Sequence, residues 1–148
     1  MNIYFACSIT GGRQQENIYQ LIVESLLSEG HIVPTADLSR PEVMDLEGIV
    51  QPREVYKRDI SWIKACQALI AEVTTPSHGV GYEIAYALGL GKPVLCCYQR
   101  GARVSKMITG NTEPHLRVGV YQTQPEVLQL VRNFLEEIKR TSQVNGVS

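Results

Sequence analysis

Nowhere in the 148 residues does an apolar run approach the roughly 20 residues of a membrane-spanning helix. An excess of one charge sign is also missing. There are 14 basic and 15 acidic residues for a net charge of −1, which gives no footprint for long nucleic acid or an anionic membrane surface. The first residues carry neither a basic n-region nor a small-residue cleavage site, so no signal peptide is expected. The four cysteines, Cys7, Cys66, Cys96 and Cys97, form no C-x-x-C pair, and adjacent Cys96 and Cys97 point to opposite faces of a strand. They read as reduced, mostly buried thiols of a cytoplasmic protein, and a reducing nuclear location is not at odds with them. His31, His78 and His115 lack ligand spacing, so neither a metal nor another cofactor is expected. A Walker A loop, a complete G-x-G-x-x-G, a G-x-S-x-G elbow and a Cys–His pairing are all absent. No internal repeat or low-complexity segment interrupts the chain.

What remains is an ordinary globular composition, 44% hydrophobic and 20% charged, long enough for one core. Strand and helix patterns alternate throughout. Strands are expected at 2–7, 31–35, 67–73, 93–98 and 116–121. Helices are expected at 15–29, 53–66, 80–91, 103–110 (short) and 124–140, with Gly30 stopping the first. Residues 36–52, with two prolines and several acids, read as a long loop of the kind that serves a site. One domain spans 1–141, and 142–148 form a polar, frayed tail. The alternation predicts a parallel sheet covered on both faces, with ligands at the carboxyl ends of its strands.

Three clusters follow predicted strands. The first is Cys7-Ser8-Ile9-Thr10-Gly11-Gly12-Arg13. Its glycines let the backbone turn tightly and present N–H groups to an anion at a helix start, and Arg13 can add a charge-assisted bond. A tight turn with a surface arginine is the alternative. The second is Asp59, whose helical neighbours are Val55, Tyr56, Trp62 and Ile63, while Glu54, Lys57, Arg58 and Ser61 form the polar side. A carboxylate on an apolar stripe needs a partner or a task. Trp62 falls on the same stripe and suits the core. The third is Thr74-Thr75-Pro76-Ser77-His78-Gly79-Val80-Gly81-Tyr82-Glu83. Ser77 is a natural N-cap or anion donor, and His78 reads as a surface residue. Gly79 and Gly81 weaken a helix start by up to ~1 kcal/mol each, which close approach of a ligand would offset. Glu83 faces the same end of the sheet as the first loop.

Together, Ile3-Tyr4-Phe5, the Ser8–Arg13 loop, Asp59 before an aromatic, and the Ser77-x-Gly-Val-Gly-Tyr-Glu83 run resemble the nucleoside 2-deoxyribosyltransferase superfamily. Within it they are most similar to the 2'-deoxynucleoside 5'-phosphate N-hydrolases. The resemblance covers about residues 3–138 and includes Arg103 to Gly110. It implies a flavodoxin-like α/β fold with five parallel strands, and hydrolysis of a nucleoside 5'-monophosphate to free base and 2-deoxyribose 5-phosphate. By that resemblance Glu83 is the nucleophile and Asp59 the proton donor to the base. Tyr4 positions the nucleophile or assists protonation. Cys7, Ser8, Ile9, Thr10, Gly11, Gly12, Arg13, Ser77 and Gly79 line the substrate and phosphate site. Ser105 and Met107 come from a partner chain in a homodimer. The sequence departs from the pattern at Pro34-Thr35-Ala36-Asp37, where relatives carry a histidine, and in the 36–52 loop.

The chemistry suits these residue types. Breaking an N-glycosidic bond builds positive charge on the anomeric carbon, which one carboxylate stabilises or captures while another group protonates the base. Glu83 is then expected to stay ionised with help from its helix N-terminus, and Asp59, among Tyr56 and Trp62, to have a raised pKa. Tyr4, Tyr82 and Trp62 suit either the base or the core. Three alternatives share these residues: a ribonucleotide N-glycosidase acting on cytidine or hydroxymethylcytidine monophosphate, a deoxyribosyltransferase, and a non-catalytic nucleotide-binding module.

Overall fold

Predominantly apolar four- to six-residue segments form the centre of the molecule, because a strand buried on both faces has no polar side to show. A computed structural model describes residues 1–9, 15–40 and 48–146. In it β1 (Ile3–Ala6), β2 (Ala68–Glu72), β3 (Val94–Gln99) and β4 (Leu116–Tyr121) form a parallel sheet in the order β1-β2-β3-β4. Tyr4 is in register with Leu69, Ala71 with Cys96, and Cys97 with Gly119. Every residue of β1 and β2 is buried, whereas β4, at the sheet edge, exposes Arg117, Val118 and Val120.

The expected fifth strand at 31–35 is not formed, so the sheet has four strands and not five. One parallel bridge, Asn2 with Ile32, is all that pairs there. Pro34 has no N–H to extend a ladder, and the chain turns at once into a 3-10 segment, Ala36–Ser39. The hydroxyl of Thr35 accepts the Phe5 N–H at 3.0 Å, taking the place of a strand carbonyl. With the bridge segment counted beside β1, the spatial order is the flavodoxin-like one, whose switch point lies at β1.

Helices cover both faces. On one face α1 (Glu16–Ser28) and α5 (Gln124–Asn145) bury Tyr19, Ile22, Leu26, Val131 and Phe134 against Phe5, Ile70 and Cys97. On the other, α2 (Pro52–Ala65) and α3 (His78–Gly89) bury Ile63, Val80, Ile84 and Ala87 against Tyr4, Leu69, Ala71 and Cys96. Cys96 and Cys97 thus divide between the two cores, and all four cysteines are free and buried. Gly30 takes a positive φ of 85° just past α1, where a side chain would be strained. The short helix of 103–110 contracts to one turn, α4 (Lys106–Thr109), and α5 continues through Asn145 where the sequence pattern ends at 140. Its last residues are exposed.

Glu72 is fully buried at the carboxyl end of β2. Its carboxylate accepts the Thr74 N–H at 2.6 Å, the Thr74 hydroxyl at 3.1 Å and the Tyr121 hydroxyl at 2.8 Å. The Thr74 hydroxyl oxygen in turn accepts the Gln99 N–H at 2.9 Å. One carboxylate thereby ties the ends of β2, β3 and β4 to the turn that leads into α3. Tyr121→Phe, which leaves that carboxylate short of a donor in the interior, is expected to cost about 1–3 kcal/mol in urea unfolding. A loss below measurement error would show the network contributes nothing to stability.

Candidate active site

The site lies where the switch point predicts it, at the carboxyl end of β1 between α2 and α3. A cavity of about 600 Å³ opens there. Cys7, Ile9, Asp59, Ser77, Gly79 and Glu83 all line it, together with an apolar wall that includes Val50, Pro52, Val55 and Ile60. Three separate stretches of sequence therefore converge on one space. Tyr56 and Tyr82 stand at its exposed side with ring centroids 6.4 Å apart, and Tyr82 stacks on Tyr86 at 6.2 Å. Tyr4 and Trp62 both pack on the core, which decides the choice left open for them.

Local structure explains each placement. The Ser77 hydroxyl accepts the Val80 N–H at 3.3 Å and so starts α3 at His78, which is exposed. A Cβ built on Gly79 would stand 3.9 Å from both Glu83 Oε1 and Ser77 Oγ, so this glycine leaves the space over the carboxylate open. Glu83 lies in the second turn of α3, and Tyr4 points to the same side from the buried β1. The Tyr4 hydroxyl donates a short hydrogen bond to Glu83 Oε2. Ser8 is fully buried just past β1, and its hydroxyl has no hydrogen-bond partner among the described residues. Cys7 Sγ lies 3.7 Å from the Leu38 carbonyl. Thr10, Gly11, Gly12 and Arg13, and residues 41–47 of the long loop, lie outside the described residues.

The ionisation pattern corrects the expectation for Glu83. Burial pushes its carboxyl from 4.5 to about 7; the Asp59 charge adds to the rise, while the Tyr4 hydrogen bond and Arg58 oppose it. A helix N-terminus contributes about 0.3–1 kcal/mol, up to about 2 in partly buried settings, and fades within the first turn. A rise of this size corresponds to about 3 kcal/mol, so desolvation outweighs the dipole. Burial and the two carboxylates push the Tyr4 phenol well above its usual range, leaving it a hydrogen-bond donor. Asp59 also differs from its apolar helical-wheel setting. Arg58, assigned by spacing to the solvated face, bends back so that its Nε donates to Asp59 Oδ1 at 2.9 Å.

Ser105 and Met107 are not part of this cavity within one chain. They line a second one of about 360 Å³, with Thr75, His78 and Arg103, on the other side of the first turn of α3. Ser77 and Val80 form the shared wall. The Ser105 hydroxyl caps α4 by accepting the Met107 N–H at 3.2 Å, and Met107 is 82% exposed. Sequence reasoning missed Glu72 and Arg58. Glu72 carried a signal, a carboxylate inside an otherwise apolar strand. Arg58 carried none, since its role depends on a side-chain path. Among the described residues, no group of three or more His, Cys, Asp and Glu side chains is placed to hold a metal ion.

Comparison with known proteins shows the chain's family. Residues 3–133 match the nucleoside 2-deoxyribosyltransferase family. A 5-hydroxymethyl-dUMP N-hydrolase of Danio rerio is 38% identical over 144 residues, covering 95% of this chain and 97% of that protein. A protein of Methanococcoides burtonii, provisionally named 2'-deoxynucleoside 5'-phosphate N-hydrolase 1, is 36% identical over 121 residues, covering 82% of this chain and 99% of its own. Among solved structures, the CMP N-glycosidase of Clostridium botulinum superposes with a TM-score of 0.65 at 21% identity, covering 88% of this chain and 98% of that one. At that identity the likeness speaks for the fold. The chain belongs to the nucleoside 2-deoxyribosyltransferase family.

Proposed function

We propose that the protein hydrolyses the N-glycosidic bond of 2'-deoxynucleoside 5'-monophosphates, releasing free base and 2-deoxyribose 5-phosphate. The observation that carries this reading is the buried Glu83 carboxyl, hydrogen-bonded by Tyr4 and sharing one cavity with Asp59. Names given to full-length relatives point the same way.

In this reading the ionised Glu83 attacks the anomeric carbon as the bond to the base breaks. The bonding pair leaves on the base nitrogen, which takes a proton from Asp59. Water then cleaves the glycosyl ester, returns Glu83 as a carboxylate and gives a proton back to Asp59. Tyr4 holds the attacking carboxylate in place. The active form holds one proton over the two acids. Burial favours the protonated form of Glu83, and catalysis needs that carboxyl ionised with the proton on Asp59, so the two acids act as a unit. The Ser77 hydroxyl, the 8–13 segment with the unspent Ser8 hydroxyl, and Ser105 of a second subunit hold the phosphate. That non-reacting anchor fixes the sugar in register.

Purified protein incubated with each deoxynucleoside and ribonucleoside 5'-monophosphate, and with the parent nucleosides, is expected to release base from the deoxynucleotides. Nucleosides should fall at least about 100-fold lower in kcat/KM for want of the anchor. Equal turnover of nucleoside and monophosphate removes the phosphate argument. Release only when an acceptor base is added makes the protein a transferase, and binding without release makes it a module.

Glu83→Gln should lower kcat by about 10³-fold or more while still binding nucleotide. The same variant separates the stability effect. The Glu83 carboxyl, raised from 4.5 to about 7, favours the folded state below pH 4.5, and that contribution is lost as pH rises through about 7. Between pH 5 and 8 the natural protein should lose on the order of 1–3 kcal/mol in urea unfolding that the variant keeps. Parallel curves for the two proteins would show that Glu83 is not desolvated. For the second subunit, light scattering at assay concentration is expected to give a dimer, and a fully active monomer would remove Ser105 from the phosphate site.

A further inference from the structure

Arg58 has no part in the chemistry described so far, yet its position is costly to explain as surface. Residues i and i+1 of a helix do not face each other. An arginine next to Asp59 reaches it only if its stem folds back along the helix. That is the observed path. The guanidinium carbon sits 4.9 Å from the centroid of the Trp62 ring, four residues on, and Nε is 2.9 Å from Asp59 Oδ1. Its side chain is 27% exposed and that of Asp59 18%. A planar cation on an indole face is held in orientation as well as in place. Lysine at this position would keep the charge without the planar fork.

We propose that Arg58 is a positioning residue of the active site: pinned on Trp62, its guanidinium holds the Asp59 carboxylate at the cavity wall and supplies the positive charge that lets two acids share one buried space. This rests on the reading of Glu83 and Asp59 as the reacting pair. Among the described residues, the charged and titratable groups acting on Glu83 are Tyr4 from β1 and Asp59 and Arg58 from α2. Arg58 is the cation in that set, and its charge opposes the rise of both Glu83 and Tyr4. Removing it should raise the pH at which the pair gives up its shared proton.

The test compares Arg58→Gln and Arg58→Lys with the natural protein. Two readouts are used: the pH profile of kcat/KM on 5-hydroxymethyl-dUMP and dGMP, and the titration of the Glu83 carboxyl followed by carbon NMR, which needs no turnover. With Arg58→Gln, the Glu83 midpoint is expected to move up by about half a pH unit or more, with the alkaline limb of kcat/KM following it. The kcat should fall about tenfold or more with little change in KM. Arg58→Lys should bring the midpoint back while recovering only part of kcat. A midpoint and limb that stay in place while thermal stability drops would overturn the proposal and leave Arg58 a packing residue. If Arg58→Gln does not fold, Arg58→Lys decides, because natural kcat in that variant contradicts a need for the planar fork. Absence of hydrolysis by the natural protein defeats the functional reading instead, and the NMR midpoint still reports whether Arg58 controls the pair.

Discussion

Glu83 is an acid held out of water, and the arrangement around it exists to make that tolerable. Burial raises its carboxyl to about 7, a cost that no helix dipole at that distance offsets. What compensates is local. The Tyr4 hydroxyl donates to it from a strand buried on both faces, and Arg58 brings a positive charge within range. An open position above the carboxylate is kept by Gly79.

The parallel sheet supplies the rigidity this acid requires. Strand alternation sends Tyr4 toward α3 while Ile3 and Phe5 pack beneath α1 and α5. Cys7 and Ser8 then emerge at the carboxyl end of the same strand, beside the cavity. A second buried acid, Glu72, works in the opposite sense from Glu83. Its oxygens are occupied by Thr74 and Tyr121, so it fastens the turn into α3 and leaves nothing for a ligand. One carboxylate is thus spent within the scaffold, while the other, held by Tyr4, still faces the cavity.

The two cavities flanking the first turn of α3 share Ser77 and Val80. Ser77 is committed to the helix N-cap through one lone pair, which leaves its hydroxyl proton and second lone pair for a ligand on either side. Exposed Met107 and the Ser105 turn stand on the far side, where a single chain has no use for them in the carboxylate cavity.

Much of this was legible in the sequence. Apolar runs placed four of the expected strands, because a doubly buried strand has no polar face and is read from composition alone. The convergence of Cys7, Ser77 and Glu83 followed from each coming after a strand of a parallel sheet, whereas Asp59 reaches the cavity on α2, beyond the segment where the fifth strand fails. The fifth strand failed at Pro34, where one missing N–H and one threonine hydroxyl outweighed a short apolar run. Protonation was misread for a related reason: helical spacing gives neighbours along one element, whereas desolvation is set by everything packed around a group. Sequence by itself thus determined the alternation, the sheet type and which residues meet at its carboxyl end, since these depend on periodicity and chain order. Only the tertiary structure decided that Glu83 is desolvated and that Arg58 bends back to Asp59, since burial and side-chain path are properties of the assembled core.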